Sequence, residues 1–148
     1  MEIERKFLIT NTPKNLSSYS FHNIEQAYLC TEPVVRIRKQ DDEYILTYKS
    51  KGFLSREEYN LPLNKDAYNH LKTKADGIVI AKKRYLIPLS DNLTIELDIF
   101  DAPHAGLQLA EVEFSCEDEA KAFVPPLWFG EEVTYSKTYQ NCTLSKKS

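Results

Sequence analysis

Polar and apolar residues alternate with a period of two along most of this chain, in short segments bounded by turn-forming residues. That period marks a β-strand with one buried face, because successive side chains point to opposite sides of the pleat. Enrichment of these segments in Val, Ile, Thr, Tyr and Phe supports the same assignment. The pattern predicts strands over 1–10, 24–31, 34–40, 43–50, 55–62, 79–87, 93–100 and 108–116. Asp41-Asp42 is read as a tight hairpin, and Lys51-Gly52 opens the turn before the fifth strand. Asn64 is placed to cap a helix over 65–75, with Gly77 just past its end. A second helix is predicted over 117–124 and a third after about residue 136. Residues 124–130, with two prolines, read as a rigid loop anchored by Trp128. Eight strands with mostly short connections predict a mainly β (α+β) fold, an antiparallel barrel or sandwich, forming one domain over 1–148.

The polar face of these strands is unusual. Glu2, Glu4 and Lys6 share one face of the first strand, opposite Ile3, Phe7 and Ile9. Arg36 with Arg38, Thr47 with Lys49, Lys82 with Arg84, Glu96 with Asp98, and Glu111 with Glu113 repeat the arrangement. A solvated face normally mixes Ser, Thr, Lys, Glu and Asn, whereas here paired charges of one sign sit strand by strand. A barrel with this face inward resolves the pattern. With Glu58, the inward set holds six cations and seven carboxylates. Such a set cannot occupy a dry interior. It can line a wet tunnel, where Lys and Arg suit an oligoanion and carboxylates suit hard divalent cations. The apolar outer face then needs the helices to cover it.

Composition narrows the classes. Apolar residues make up 42% and charged residues 28%, which fits a folded domain and not a disordered one. The formal net charge of −3 argues against general nucleic-acid binding. No apolar run is long enough for a membrane span, and the charged start MEIERKFLIT argues against a signal peptide. Three scattered cysteines without a CxxC spacing fit a reducing, cytoplasmic setting and argue against a disulfide framework or zinc site.

Glu2-Ile3-Glu4-Arg5-Lys6 is an ExExK motif. It is followed, in order, by Gln26-Ala27-Tyr28-Leu29, Arg36-Ile37-Arg38, Tyr48-Lys49, Arg56-Glu57-Glu58-Tyr59, Lys82-Lys83-Arg84-Tyr85, Glu96-Leu97-Asp98-Ile99-Phe100 and Glu111-Val112-Glu113. This series resembles the CYTH superfamily, the triphosphate tunnel metalloenzymes, over about residues 1–144. The resemblance implies an eight-stranded antiparallel tunnel open at both ends and chemistry on triphosphates or nucleotides with Mg²⁺ or Mn²⁺. It implies that Glu2, Glu4, Glu111 and Glu113 hold metal, with Asp98 and Glu96 added, and Glu58 supporting them. Lys6, Arg36, Arg38, Lys49, Lys82 and Arg84 would grip phosphates. In some small members a tyrosine matching Tyr28 pairs with the lysine matching Lys82 to manage a proton. The chain departs from the family pattern at Thr138, where Arg is usual and neighbouring Lys137 is the candidate substitute, and at Asn60, where a carboxylate is usual.

Charge balance favours two metal ions, since these bring the inward set from −1 to +3 against a triphosphate of about four to five negative charges. No Ser, Thr or Cys is placed as a nucleophile, so direct attack by water is expected. The leading reading is an inorganic triphosphatase, by analogy with small stand-alone members. The rivals are adenylate cyclase, a nucleoside or thiamine triphosphatase, and a non-catalytic polyphosphate or nucleotide binder. The expected partner is the small-molecule substrate, with no nucleic acid and no membrane, in a monomer or homodimer. Surface roles are expected for His22, His70 and His104, inert roles for the cysteines, and solvation for Lys146 and Lys147.

Overall fold

The computed structural model describes residues 1–90 and 92–145. Lys146 and Lys147 lie outside them, as does the side chain of Cys142. The strands are β1 (Glu2–Ile9), β2 (Ser20–Thr31), β3 (Val34–Gln40), β4 (Glu43–Lys49), β5 (Ser55–Arg56), β6 (Glu58–Leu63), β7 (Ile80–Pro88), β8 (Thr94–Phe100), β9 (Gln108–Glu113) and β10 (Phe129–Glu132). The helices are α1 (Lys65–Lys72), α2 (Glu117–Ala122) and α3 (Asn141–Leu144), with a 3₁₀ turn at Leu16–Ser18. All strand pairs are antiparallel, in the order β10-β1-β9-β8-β7-β2-β3-β4-β6, with β5 also on β1.

The expected fifth strand is broken at Glu57, and the break closes the barrel. Its first half pairs with β1 (Glu2 opposite Arg56), while its second pairs with β4 (Lys49 opposite Glu58). One interrupted strand thus links the two ends of the sheet into a nearly closed barrel. Taking β5 and β6 together, the eight expected strands are present and β10 is a ninth. The turn before β5 needs Gly52, whose φ of 141° is one that L side chains rarely adopt.

β10 falls at the end of the stretch expected to be a loop. Its four residues carry no clear alternation, and pairing with β1 supplies what local pattern does not. Gly130 permits the approach, since a Cβ there would stand 2.7 Å from the Leu8 carbonyl oxygen. Trp128 packs its ring against Phe129, with centroids 4.8 Å apart, and so anchors this segment as expected.

Two apolar clusters cover the outer face. Tyr68 of α1 packs on Ala27 and Ile37, with Tyr44, Leu46 and Leu63 around them. Asn64 caps α1, its side chain accepting from the Ala67 amide at 2.7 Å. Ala120 of α2 joins Ile3, Ile95, Leu97 and Val112. Arg5 ties this side together. It forks onto Glu132 at 2.8 and 2.7 Å and donates to the Ala120 and Phe123 carbonyls, each at 2.9 Å.

A third cluster lies on the inner face. Leu8, Ile80, Phe100 and Leu109 share the parity of Lys6, Lys82, Asp98 and Glu111, and they pack with Val133, Tyr139 and Leu144. The C-terminal segment therefore closes over one end of the interior. His104 holds it there, its Nε2 donating to the Leu144 carbonyl at 3.0 Å. This half-buried contact replaces the plain surface role expected of His104. His22 sits at the surface beside Asp41.

Candidate functional site

The inward parity of the strands gathers charged side chains around a cavity of about 190 Å³. β1 contributes Glu2, Glu4 and Lys6, β3 contributes Arg36 and Arg38, and β9 contributes Glu111 and Glu113. Lys49, Glu58, Arg84 and Glu96 complete the expected charged lining, and Tyr28 is the one hydroxyl among the described lining residues. Several of these charges lie deeply buried, a costly arrangement that persists only with pairing or a ligand.

Most cations have a carboxylate partner. Lys49 Nζ stands 2.8 Å from Glu2 and 3.7 Å from Glu58. Lys6 lies 3.9 Å from Glu111. Arg84 forks onto Asp98 at 2.7 and 2.8 Å and lies 3.5 Å from Glu96. Arg36 and Arg38 differ: among the described residues neither has a carboxylate at ion-pair distance. Arg36 Nη2 donates instead to Thr47 Oγ1 at 3.4 Å, and Thr47 donates to Asn60 at 2.6 Å. Asn60 is thus occupied by a neutral contact where the family pattern has a carboxylate. Burial, then repulsion from Arg36 and Arg84, lowers the Arg38 pKa to about 9. Neither arginine's charge is met by an ion pair among the described residues, although Asp98 favours the charged form of Arg38 from farther away.

The carboxylates form two groups. Glu2, Glu58 and Glu113 place one oxygen each within 4.8 Å of one another. Burial and the neighbouring Glu96, Glu2 and Glu58 raise the Glu113 carboxyl. Glu4 and Glu111 form the other group. Burial and the Glu111 and Glu2 charges push Glu4 well above the usual range, whereas Lys6 and Arg84 hold Glu111 well below it despite burial. Crowded oxygen donors, two of them, Glu4 and Glu113, with raised proton affinity, fit a hard divalent cation.

Lys82 and Asp98 do not line this cavity. They lie behind its wall, paired at 2.7 Å. Nζ has no hydrogen-bond partner among the described residues, and it also lies over the Phe100 ring, 5.2 Å from the centroid. Burial lowers the Lys82 pKa to about 7, with Arg84 and Arg38 adding to the effect and Asp98 opposing it. Tyr28 and Lys82 are not cross-strand neighbours, since Lys82 stands opposite Ile24, four residues earlier on β2. Lys137 lines an adjoining cavity with Lys51, Phe53 and Arg56.

Besides Val34, three polar lining residues were not among the expected set. Arg56 lines the cavity and donates to Glu2 at 3.0 Å. It shares the parity of Glu58, a signal the alternation carried. Gln140 and Asn141 arrive from the C-terminal segment. The strand alternation does not mark them, because only the folding of that segment across the barrel end places them there.

The chain belongs to the CYTH domain family, whose model matches residues 1–146. It is 42% identical to an inorganic triphosphatase of Nitrosomonas europaea, covering 97% of this chain and 96% of that one. It is 33% identical to an inorganic triphosphatase of Acetivibrio thermocellus, covering 98% and 93%. The crystal structure of the inorganic triphosphatase NE1496 superposes with a TM-score of 0.74 at 38% identity, covering 100% of this chain and 96% of that one.

Proposed function

We propose that this protein hydrolyses inorganic triphosphate to diphosphate and phosphate, with divalent cations, in the barrel cavity. The observation that carries the reading is the opposition of two unpaired arginines, Arg36 and Arg38, to the Glu2, Glu58 and Glu113 cluster. An anion alone would need no carboxylates and a cation alone no arginine fork, whereas a metal–triphosphate complex uses both. The lining is almost wholly polar, with Val34 its one aliphatic residue among those described, and offers no apolar slot for a base. That favours inorganic triphosphate over a nucleotide.

Glu2, Glu58, Glu113, Glu4 and Glu111 are the groups that would hold divalent ions, with Glu96 beside them. Glu58 thereby joins the direct ligand candidates. Bound, such ions would neutralise phosphate charge and act as Lewis acids. Arg36, Arg38, Lys6 and Lys49 orient the chain of phosphoryl groups and balance charge as it grows in the transition state. Water attacks the terminal phosphorus, the bond to the bridging oxygen breaks, and diphosphate leaves. The water's proton needs an acceptor. Lys82 has a suitable pKa near 7 but is sealed behind the wall, so a carrier is required. Tyr28, the hydroxyl-bearing residue that borders the cavity, is assigned that part. Phosphate release from triphosphate, ATP and thiamine triphosphate, each with Mg²⁺ and with Mn²⁺, tests the reading. Triphosphate should be cleaved fastest, and preference for either other substrate overturns it.

A further inference from the structure

Two arginines of this barrel are held by two-pronged contacts of opposite electrical character. Arg84 forks onto the Asp98 carboxylate at 2.7 and 2.8 Å, which compensates its charge. Arg38 forks onto the side-chain carbonyl of Gln26, through Nε at 3.1 Å and Nη2 at 2.9 Å, and keeps its charge. Gln26 is fully buried. Because a guanidinium only donates, the two bonds fix which end of the amide is the oxygen. Gln26 Nε2 then faces away and has no hydrogen-bond partner among the described residues.

A buried amide with an unpaired N–H is unfavourable for stability. Glutamate at this position would remove that donor and would gain an ion pair with Arg38, in surroundings already crowded by Arg36 and Arg84. Stability alone therefore disfavours glutamine here. We propose that Gln26 is a positioning residue for substrate capture, its neutral amide holding the Arg38 guanidinium at the cavity wall through Nε and Nη2 while leaving its charge and remaining N–H groups for a phosphoryl oxygen. The inference rests on the triphosphate reading and adds to it a residue that does not line the cavity.

The test compares wild type with Q26E and Q26M, using triphosphate as the probe. Affinity is read in two ways: by KM during Mg²⁺-dependent turnover, and by calorimetric titration of triphosphate in excess chelator. Q26E should melt at or above the wild-type temperature yet bind triphosphate at least about tenfold more weakly, because the new carboxylate competes for Arg38. Q26M keeps the volume but loses the acceptor, and its KM should rise by a smaller factor. A purely structural Gln26 predicts affinity that follows stability. Affinity of Q26E within twofold of wild type overturns the inference, and if Q26E does not fold, the same result for Q26M overturns it. Wild type that neither cleaves nor binds triphosphate instead overturns the functional reading, and the inference with it.

Discussion

Lys82 Nζ stands 2.7 Å from Asp98 Oδ2, with both side chains withdrawn from solvent, and Arg84 holds the same carboxylate through its fork. One buried acid thus serves two buried bases. Asp98 remains ionised, because Arg84 and Lys82 lower its pKa against the effect of burial. Lys82 is the member that gives way, and near neutral pH it sits between its charged and neutral forms.

This gives a signed prediction for pH dependence. The rising limb of kcat/KM should reflect loss of the Lys82 proton from the free enzyme. The Asp98 charge opposes that loss, so Asp98→Asn should move the limb to lower pH, and Lys82→Met should abolish it. Folding stability shows the same shift from a second side. The folded-state pKa of about 7 lies below the ordinary lysine value of 10.5, so the unfolded chain binds the extra proton between those values. The contribution of Lys82 to stability therefore rises with pH across that window, and Lys82→Met should flatten the rise in denaturant melts. A limb in the same place in all three proteins would exclude Lys82 as the titrating group.

The carboxylate cluster predicts dependence on divalent metal. Excess chelator should abolish turnover. Glu111→Ala and Glu113→Ala should each lower kcat at least about 10²-fold while the circular dichroism spectrum stays native, comparable to loss of a preorganised electrostatic group. Glu58→Ala should behave like the Glu113 variant, because both oxygens belong to the same cluster. Full activity in chelator would remove the metal from the mechanism.

The phosphate clamp predicts a difference between two cations. Arg38→Ala should lower kcat/KM about 10²-fold or more, since it removes a charge that would balance the one growing on the phosphoryl oxygens in the transition state. Arg38→Lys should recover part of this only, because an ammonium cannot reproduce the fork. Steady-state kinetics of the two variants decide it, and equal activity of Arg38→Lys and wild type would make the fork irrelevant.

Arg5 lies in the same motif as Glu4 and Lys6 but points outward, to Glu132 and to the end of α2. Arg5→Ala should destabilise the fold by about 2–3 kcal/mol, through loss of charge-assisted bonds to two elements at once. The KM for triphosphate should stay unchanged. Urea melts with parallel kinetics check this, and a raised KM at unchanged stability would place Arg5 in the site.

The contrast between Arg5 and its neighbours shows what the sequence carried. A period of two separates Glu4 and Lys6 from Arg5 without any structure, so the barrel, its inward charge and most of the lining were legible. The way the barrel closes was not, because the break at Glu57 redirects pairing without altering parity across Arg56 and Glu58. Depth was also hidden. Lys82 and Arg84 share a face, yet one is sealed against Asp98 beside the apolar cluster of Ile80 and Phe100 and the other reaches the cavity. Gln140 and Asn141 depend on contacts between residues far apart in sequence, including the donation from Lys6 Nζ to the Tyr139 carbonyl at 3.3 Å.

Tyr28 provides the sharpest separation of mechanisms. Its ring packs in the apolar cluster at the end of the barrel, while its residue borders the polar cavity. If its hydroxyl carries the proton to Lys82, Tyr28→Phe keeps the packing and removes only the carrier. The turnover number should then fall by about 10–10³-fold, within the range of general acid–base contributions, while KM changes little. The rising limb should also lose its sensitivity to Asp98→Asn, because Lys82 is no longer connected to the reacting water. If the metal alone governs deprotonation, the limb should move on exchanging Mg²⁺ for Mn²⁺ and be the same in Tyr28→Phe. Measuring pH–rate profiles for wild type and Tyr28→Phe with each metal distinguishes the two. A limb that follows the metal and ignores the mutation assigns Tyr28 to packing.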